Sequence, residues 1–219
     1  MICVQAMTNE NKGILKTGTT TVGVRTKECV VLAADQKATM GYFVAETDTK
    51  KVFKLTDRIA ITMAGGVGDA QTLVRFLRSQ AKLFEIERET AITTKALVTF
   101  LSNILSNSRF YPFMIQFIVG GYTNGTAAMY NMDMAGGVSD VNDYTVTGSG
   151  SEFAMGVLDN QYKVSMRRDE AIKLAIAAVN AGRKRDAASG GDSVTVLVID
   201  DKGIMEMDRK DVDKILAAM

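Results

Sequence analysis

A glycine stands directly before three consecutive threonines in the segment LKTGTTTVGV, residues 15–24. A threonine hydroxyl becomes a useful nucleophile only when a nearby base removes its proton. The sequence contains no histidine, which excludes Ser–His–Asp and Cys–His catalysis and the usual zinc hydrolase sites. If the protein is an enzyme, its base must be a lysine, a carboxylate, a tyrosine or a terminal amine.

Cleavage between Gly18 and Thr19 would supply such a base, because the α-amine of Thr19 would become the chain terminus. An α-amine has a pKa of about 7.7–8.0, so a usable fraction is neutral near pH 7. Glycine lacks a Cβ atom, so residue 18 can adopt a tight bend that brings its carbonyl to the Thr19 hydroxyl. We predict a leader over residues 1–18 and a nucleophile at Thr19, while Thr20 and Thr21 merely enter the first strand.

Two charged positions could support that nucleophile. Asp35 ends an otherwise apolar run, where a buried carboxylate needs a partner. Lys51, which follows Lys50, opens the next apolar run and could be that partner. Taken singly, each of these residues is more often a surface charge.

Glycine-rich and small-residue segments offer further candidates. The segments AGGVGDA (64–70) and TGSGSEF (147–153) lie between a predicted strand and a predicted helix. Both segments fit ordinary turns or an oxyanion site of backbone N–H groups. AGGVGDA also fits a phosphate- or nucleotide-binding module, although no GK[ST] of a P-loop is next to it. Asp186 and Ser189 are either cap partners or site residues, and Gly190 and Gly191 are expected to cap the preceding helix.

The spacing of apolar residues predicts the elements that must position these groups. Residues 20–64, 114–122, 126–131, 141–147, 192–200 and 203–207 have strand character, and 69–88, 93–107, 169–184 and 209–217 have helical spacing. Strands and helices come in blocks without strict alternation, which favours an α+β fold with antiparallel sheets. We predict one domain over residues 19–219.

Composition narrows the class of protein. The 219 residues carry a net charge of +1, and neither a basic patch nor an apolar run of membrane-spanning length is present, so we expect no nucleic-acid or membrane partner. Cys3 and Cys29 form no disulfide framework or metal-ligand spacing. We expect a cytoplasmic protein without a secretory signal peptide, a metal or a cofactor.

Taken together, the motifs resemble the β subunits of the 20S proteasome, most closely the archaeal type, from Gly18 to about residue 215. GTTTVG resembles the propeptide junction, LAADQKAT (32–39) carries the family aspartate as Asp35, and DTKKVFKL (48–55) carries its lysine as Lys51. MAGGVGDAQ (63–71) resembles the oxyanion segment, with its donor at Gly65. TGSGS (147–151) and RDAASGG (185–191) supply the remaining catalytic residues, which are Ser149, Asp186 and Ser189.

This resemblance implies an N-terminal-nucleophile hydrolase fold, a four-layer αββα sandwich with two antiparallel sheets. It implies assembly with proteasome α subunits and other β subunits into an α7β7β7α7 particle of four stacked rings, served by an unfolding ATPase regulator and acting on unfolded proteins. A threonine endopeptidase activated by autocatalytic cleavage is expected. The resemblance also implies a small, apolar specificity pocket without an acidic residue, formed by Ala38, Thr39, Thr49, Met63 and Val67.

Two related alternatives stay open on the sequence alone. A non-catalytic scaffold subunit usually lacks the threonine, the lysine or the junction glycine, and all three are present here. The bacterial two-ring relative is also a threonine peptidase, but the leader and the RDAASGG segment disfavour it.

Overall fold

The computed structural model describes residues 18–219, so the predicted leader lies outside the described residues except for Gly18. Twelve strands and five helices follow one another in this part of the chain. The strands are β1 Thr21–Arg25, β2 Val30–Asp35, β3 Ala38–Met40, β4 Phe43–Glu46, β5 Val52–Lys54, β6 Ile59–Gly65, β7 Ile115–Thr123, β8 Thr126–Met132, β9 Val138–Asp140, β10 Tyr144–Thr147, β11 Val194–Asp200 and β12 Gly203–Glu206. The helices are α1 Val67–Arg88, α2 Thr94–Asn107, α3 Ser151–Gln161, α4 Arg168–Arg185 and α5 Arg209–Ala217.

The strands form two five-stranded sheets and one hairpin. The first sheet has the order β10-β1-β2-β11-β12, and the second has the order β5-β6-β7-β8-β9. Strands β3 and β4 pair only with each other. Every strand pair described is antiparallel. The α+β class and the antiparallel sheets predicted from the sequence are therefore confirmed.

Three clusters of buried side chains hold these elements together. One joins the first sheet to α3, α4 and α5, and another joins the second sheet to α1 and α2. The third contains residues of both sheets, including Leu32 and Leu197 from the first and Ile118 and Met129 from the second. Apolar side chains on both faces of each sheet are thus removed from water, which is the main force that fixes the sheets and helices relative to one another.

Most predicted elements are present with ends shifted by a few residues, but three features differ. Apolar spacing did not predict α3, whose only fully buried apolar side chains are Ala154 and Leu158, or the exposed three-residue strand β9. Gly190 and Gly191 do not cap α4, because the helix ends at Arg185 and Asp186 is its C-cap. The two glycines instead lie in the loop before β11, where both have positive φ.

Between residues 18 and 219, no helix combines the length and apolar character that crossing a membrane requires.

Candidate active site

Thr19 lies just before β1, and its side chain is turned back on the residue that precedes it. The Oγ1 atom donates a hydrogen bond of 2.6 Å to the Gly18 carbonyl oxygen, in a site where Thr19 is only 4% exposed. A Cβ atom on residue 18 would lie 1.8 Å from the Cβ atom of Ala188, so a side chain at this position would force the two segments apart. The Gly18 carbonyl therefore reaches the Thr19 hydroxyl, as expected for a glycine at this position. The close packing of residue 18 against Ala188 is a second reason why glycine is needed here.

Asp35 and Lys51 form the ion pair that the sequence suggested. The Lys51 Nζ atom lies 2.8 Å from Asp35 Oδ1 and donates a second hydrogen bond of 3.3 Å to the Gly18 carbonyl oxygen. Both side chains are buried, at 8% exposure for Lys51 and 0% for Asp35. Burial lowers the pKa of Lys51, and the attraction of Asp35 opposes this shift. The amine therefore lies next to the Gly18–Thr19 peptide bond with a reduced affinity for its proton.

On the other side of Thr19, three polar side chains form a continuous set of hydrogen bonds. The Thr19 backbone N–H donates to Ser149 Oγ at 3.1 Å. Ser149 and Ser189 both donate to Asp186 Oδ2, at 2.5 and 2.6 Å. Burial opposes ionisation of Asp186, but the hydrogen bonds from the two serines and from the Ala188 backbone N–H outweigh it and lower the pKa of Asp186. An ionised Asp186 can only accept hydrogen bonds, which makes it a fixed anchor for both serines.

Gly65 is the last residue of β6 and lies beside Thr19 on the wall of two cavities. Its φ of 143° lies in a region that side-chain-bearing residues rarely adopt. A Cβ atom here would lie 2.1 Å from the Met114 carbonyl oxygen. The turn from β6 into α1 therefore requires glycine, and Gly65 lines the same two cavities as Thr19.

A cavity of about 250 Å³ opens beside Thr19. Its wall contains all five residues of the predicted specificity pocket, Ala38, Thr39, Thr49, Met63 and Val67. The expectation that the pocket has no acidic residue is wrong, because the exposed residues Glu46 and Asp48 also line it, together with Lys50. Glu46 is the last residue of strand β4, and Asp48 and Lys50 follow it. The sequence did not indicate that this strand lies at the cavity. Met63 and Ala70 form a buried apolar part of the wall, which also contains the buried polar residues Thr19, Thr39 and Lys51.

A family model described as "Proteasome subunit" matches residues 15–199. The chain belongs to the proteasome subunit family. It is 43% identical to "Proteasome subunit beta" of Archaeoglobus profundus, over 92% of this chain and 94% of the relative. It is 45% identical to "Proteasome subunit beta 2" of Thermococcus kodakarensis, over 87% and 95%, and 40% identical to "Proteasome subunit beta" of Methanosarcina barkeri, over 96% and 99%. The resemblance inferred from the motifs is confirmed.

The structure of this proteasome family member brings together every predicted catalytic position. Thr19 and Lys51 both donate to the Gly18 carbonyl oxygen, and Asp35 pairs with Lys51. The Thr19 nitrogen donates to Ser149, which is joined through Asp186 to Ser189. Gly65 lines the same two cavities as Thr19. The neighbouring Lys50 is an exposed residue that pairs with Glu206 at 2.8 Å. Among the residues described, no group of His, Cys, Asp and Glu side chains is arranged to hold a metal ion.

Sequence reasoning missed two contributors to the site. The Gly190 backbone N–H donates to Asp35 Oδ2 at 2.8 Å, a role hidden by its interpretation as a helix cap. Thr20 contacts Asp35 through its backbone and Ser189 through its side chain. Two observations in the sequence could have suggested these roles: a second glycine beyond the usual cap position, and a threonine placed directly after the nucleophile.

We expect Gly65→Ala to destabilise the chain and to abolish peptide hydrolysis, because the new methyl group would displace the Met114 backbone. The unfavourable φ alone costs about 1–3 kcal/mol, and the steric clash adds to it. Gly68→Ala is the matched control, because its Cβ atom meets nothing within 4 Å in helix α1. Alanine in a helix is favoured over glycine by about 0.5–1 kcal/mol. Urea unfolding of both variants would contradict the argument if the two free energies of unfolding changed alike.

Proposed function

We propose that this chain is the catalytic β subunit of a proteasome and acts as a threonine endopeptidase. The observation that carries the proposal is the position of Thr19, whose hydroxyl, amide nitrogen and preceding carbonyl all contact the polar groups described above. Relatives of 40–45% identity are named proteasome subunit beta, which supports a β-type role. The three core clusters are compatible with the N-terminal-nucleophile hydrolase fold and its four αββα layers.

The chain is first a precursor in which the nitrogen of Thr19 is an amide and cannot act as a base. In the proposed activation step, Thr19 Oγ1 attacks the Gly18 carbonyl carbon while Lys51 or a bound water takes the hydroxyl proton. As the C–N bond breaks, this proton passes to the Thr19 nitrogen, which leaves as a free amine. Water then hydrolyses the resulting ester to release residues 1–18. The lowered pKa of Lys51 favours this step because it raises the fraction of neutral amine.

After cleavage, the same hydroxyl attacks the peptide bond of a substrate. The free α-amine of Thr19 takes the hydroxyl proton and delivers it to the leaving amine, which leaves an acyl ester on Thr19. Water then hydrolyses this ester and restores the hydroxyl. Lys51, held by Asp35, stabilises developing charge, and the backbone N–H of Gly65 receives the oxyanion, an interaction worth about 2.7–4 kcal/mol. Ser149, fixed by Asp186 together with Ser189, orients the amine.

We further propose the assembly implied by the resemblance: an α7β7β7α7 particle in the cytoplasm, served by an unfolding ATPase and acting on unfolded proteins. A precursor that is inactive until it is cleaved would protect other proteins before such a chamber closes. Family membership and these neighbours of Thr19 favour this function over a phosphate-binding role for residues 64–70.

The test combines intact mass with peptide hydrolysis. We expect the full chain, produced with the α subunit from the same genome, to lose 18 residues and to hydrolyse fluorogenic peptides. The apolar part of the wall at Met63 and Ala70 favours leucine or tyrosine before the cut. Absence of hydrolysis in a fully cleaved particle would overturn the peptidase proposal. Faster cleavage after arginine than after leucine or tyrosine would overturn only the hydrophobic preference.

A further inference from the structure

The second threonine of the GTTT segment has contacts that a simple strand residue would not need. Thr20 is 0% exposed and precedes the first residue of β1. Its Oγ1 atom lies 2.7 Å from Ser189 Oγ. Its backbone N–H donates to Asp35 Oδ1 at 2.9 Å, and its carbonyl accepts from the Asp35 backbone N–H at 3.2 Å. Thr20 therefore touches both polar groups that flank the candidate nucleophile.

The direction of the hydrogen bond between Thr20 and Ser189 follows from proton counting. A serine hydroxyl has one proton to donate, and Ser189 gives its proton to Asp186 Oδ2 at 2.6 Å. Ser189 must therefore accept from Thr20. By the same reasoning Ser149, which also donates to Asp186, accepts from the Thr19 nitrogen. The hydroxyl of Thr20 thus begins a chain of donors that ends at the carboxylate orienting Ser149.

The space around the Thr20 hydroxyl is closed. A Cβ atom on Gly150, the N-cap of α3, would lie 1.9 Å from Thr20 Oγ1, and one on Gly182 in α4 would lie 2.2 Å from it. Ser189 is itself only 2% exposed. Water therefore has no open route to replace the hydroxyl as a donor to Ser189, and a lost donor would stay unreplaced.

We propose that Thr20 is a positioning residue of this site: its hydroxyl fixes the rotamer of Ser189, and through Asp186 and Ser149 the orientation of the Thr19 nitrogen. This inference rests on the peptidase function proposed above. Thr20 touches no reacting atom in this scheme. Its effect is confined to how well the amine of Thr19 is aimed at the hydroxyl, which affects the rate of the chemical step and not the affinity for substrate.

The experiment replaces the hydroxyl while keeping the shape of the side chain. In Thr20→Val a methyl group takes the place of Oγ1, 2.7 Å from Ser189 Oγ, whereas carbon and oxygen normally approach no closer than about 3.3 Å. Ser189 must move and loses its donor. We expect kcat for a fluorogenic peptide to fall about tenfold, the equivalent of one buried hydrogen bond, with KM unchanged. Thr20→Ser keeps the hydroxyl and should retain wild-type kcat.

Thr21→Val is the matched control because Thr21 is also 0% exposed and its hydroxyl makes a bond of 2.6 Å to Thr147. That hydroxyl belongs to a different network, which continues to Thr62 and does not reach Asp186 or Asp35. Thr21→Val also puts a methyl group in place of a hydrogen-bonded hydroxyl in this segment, and we expect it to leave kcat unchanged. Intact-mass measurement monitors removal of the leader in each variant, and kcat is calculated per processed subunit.

Several outcomes would overturn the positioning role. One is an equal kcat in Thr20→Val and Thr21→Val. Another is a loss of kcat in Thr20→Ser as large as that in Thr20→Val. The third is a change in Thr20→Val that affects KM and leaves kcat unchanged. If Thr20→Val does not assemble, Thr20→Ala removes the hydroxyl without crowding and is judged by the same criteria. A wild-type particle without peptide hydrolysis would instead refute the proposed function, so the two failures are distinguishable.

Discussion

Thr19→Ala is expected to leave the chain at its full 219 residues and to reduce peptide hydrolysis at least a thousandfold, to background. The substitution removes the Oγ1 atom that lies 2.6 Å from the Gly18 carbonyl oxygen, and no other side-chain hydroxyl is in contact with that carbonyl among the described residues. Without the hydroxyl neither the Gly18–Thr19 bond nor a substrate bond can be attacked. Intact mass reports cleavage of the Gly18–Thr19 bond, and a fluorogenic peptide assay reports hydrolysis of a substrate.

Thr19→Ser is the control for this prediction, because serine keeps both the hydroxyl and, after cleavage, the α-amine. We expect it to be processed and to retain measurable hydrolysis, with circular dichroism showing that both variants fold. A 201-residue product from Thr19→Ala, which is 219 minus the 18 leader residues, would show that another group cuts the precursor. That result would refute the assignment of Thr19 to activation.

The sequence predicted much of the site because its residues lie in short motifs next to strongly apolar strands. Asp35 at the end of β2 and Lys51 just before β5 are adjacent in space because their strands lie in facing sheets, and the family resemblance identified them as a pair. Gly65 was identified only through the resemblance of MAGGVGDAQ to the oxyanion segment, because the pattern by itself equally fits an ordinary turn in which glycine supplies an unusual backbone conformation.

Other features depend on contacts between distant segments, which apolar periodicity does not encode. Helix α3 buries few large side chains, so its pattern is weak. Strand β4 pairs only with β3, and this hairpin brings Glu46, together with the following Asp48, to the wall of the cavity. The contact of the Thr20 hydroxyl with Ser189 depends on Gly150, at the N-cap of α3, and Gly182 of α4, which lie more than a hundred positions away and leave room for it.

The second large effect is expected at the Asp35–Lys51 pair, where the two partners should differ in stability and agree in activity. In Lys51→Met, the buried carboxylate of Asp35 keeps three backbone donors, the N–H groups of Thr20, Lys37 and Gly190. In Asp35→Asn, the amide oxygen can still accept from Lys51, but the buried ammonium loses its counter-charge. The amide NH2 group then faces the backbone N–H donors of Lys37 and Gly190, which lose their acceptor. We therefore expect a loss of about 3–5 kcal/mol for Asp35→Asn and about 1–3 kcal/mol for Lys51→Met.

Activity should fall by orders of magnitude in both variants, because each removes the ammonium or the carboxylate that holds it beside the Thr19 hydroxyl. Lys51→Arg keeps the charge, but its planar guanidinium cannot reproduce the compact ammonium between Asp35 and Gly18, so we expect no rescue. Urea unfolding of the chain produced alone gives the stabilities, and intact mass with peptide hydrolysis gives the activity. Lys51→Met decides between the two roles of the pair: a stable but unprocessed and inactive chain indicates a chemical function. Efficient removal of the leader in this variant would mean that a bound water, and not Lys51, accepts the proton of Thr19 during activation. Wild-type peptide hydrolysis by the cleaved particle would in addition mean that Lys51 only stabilises the fold.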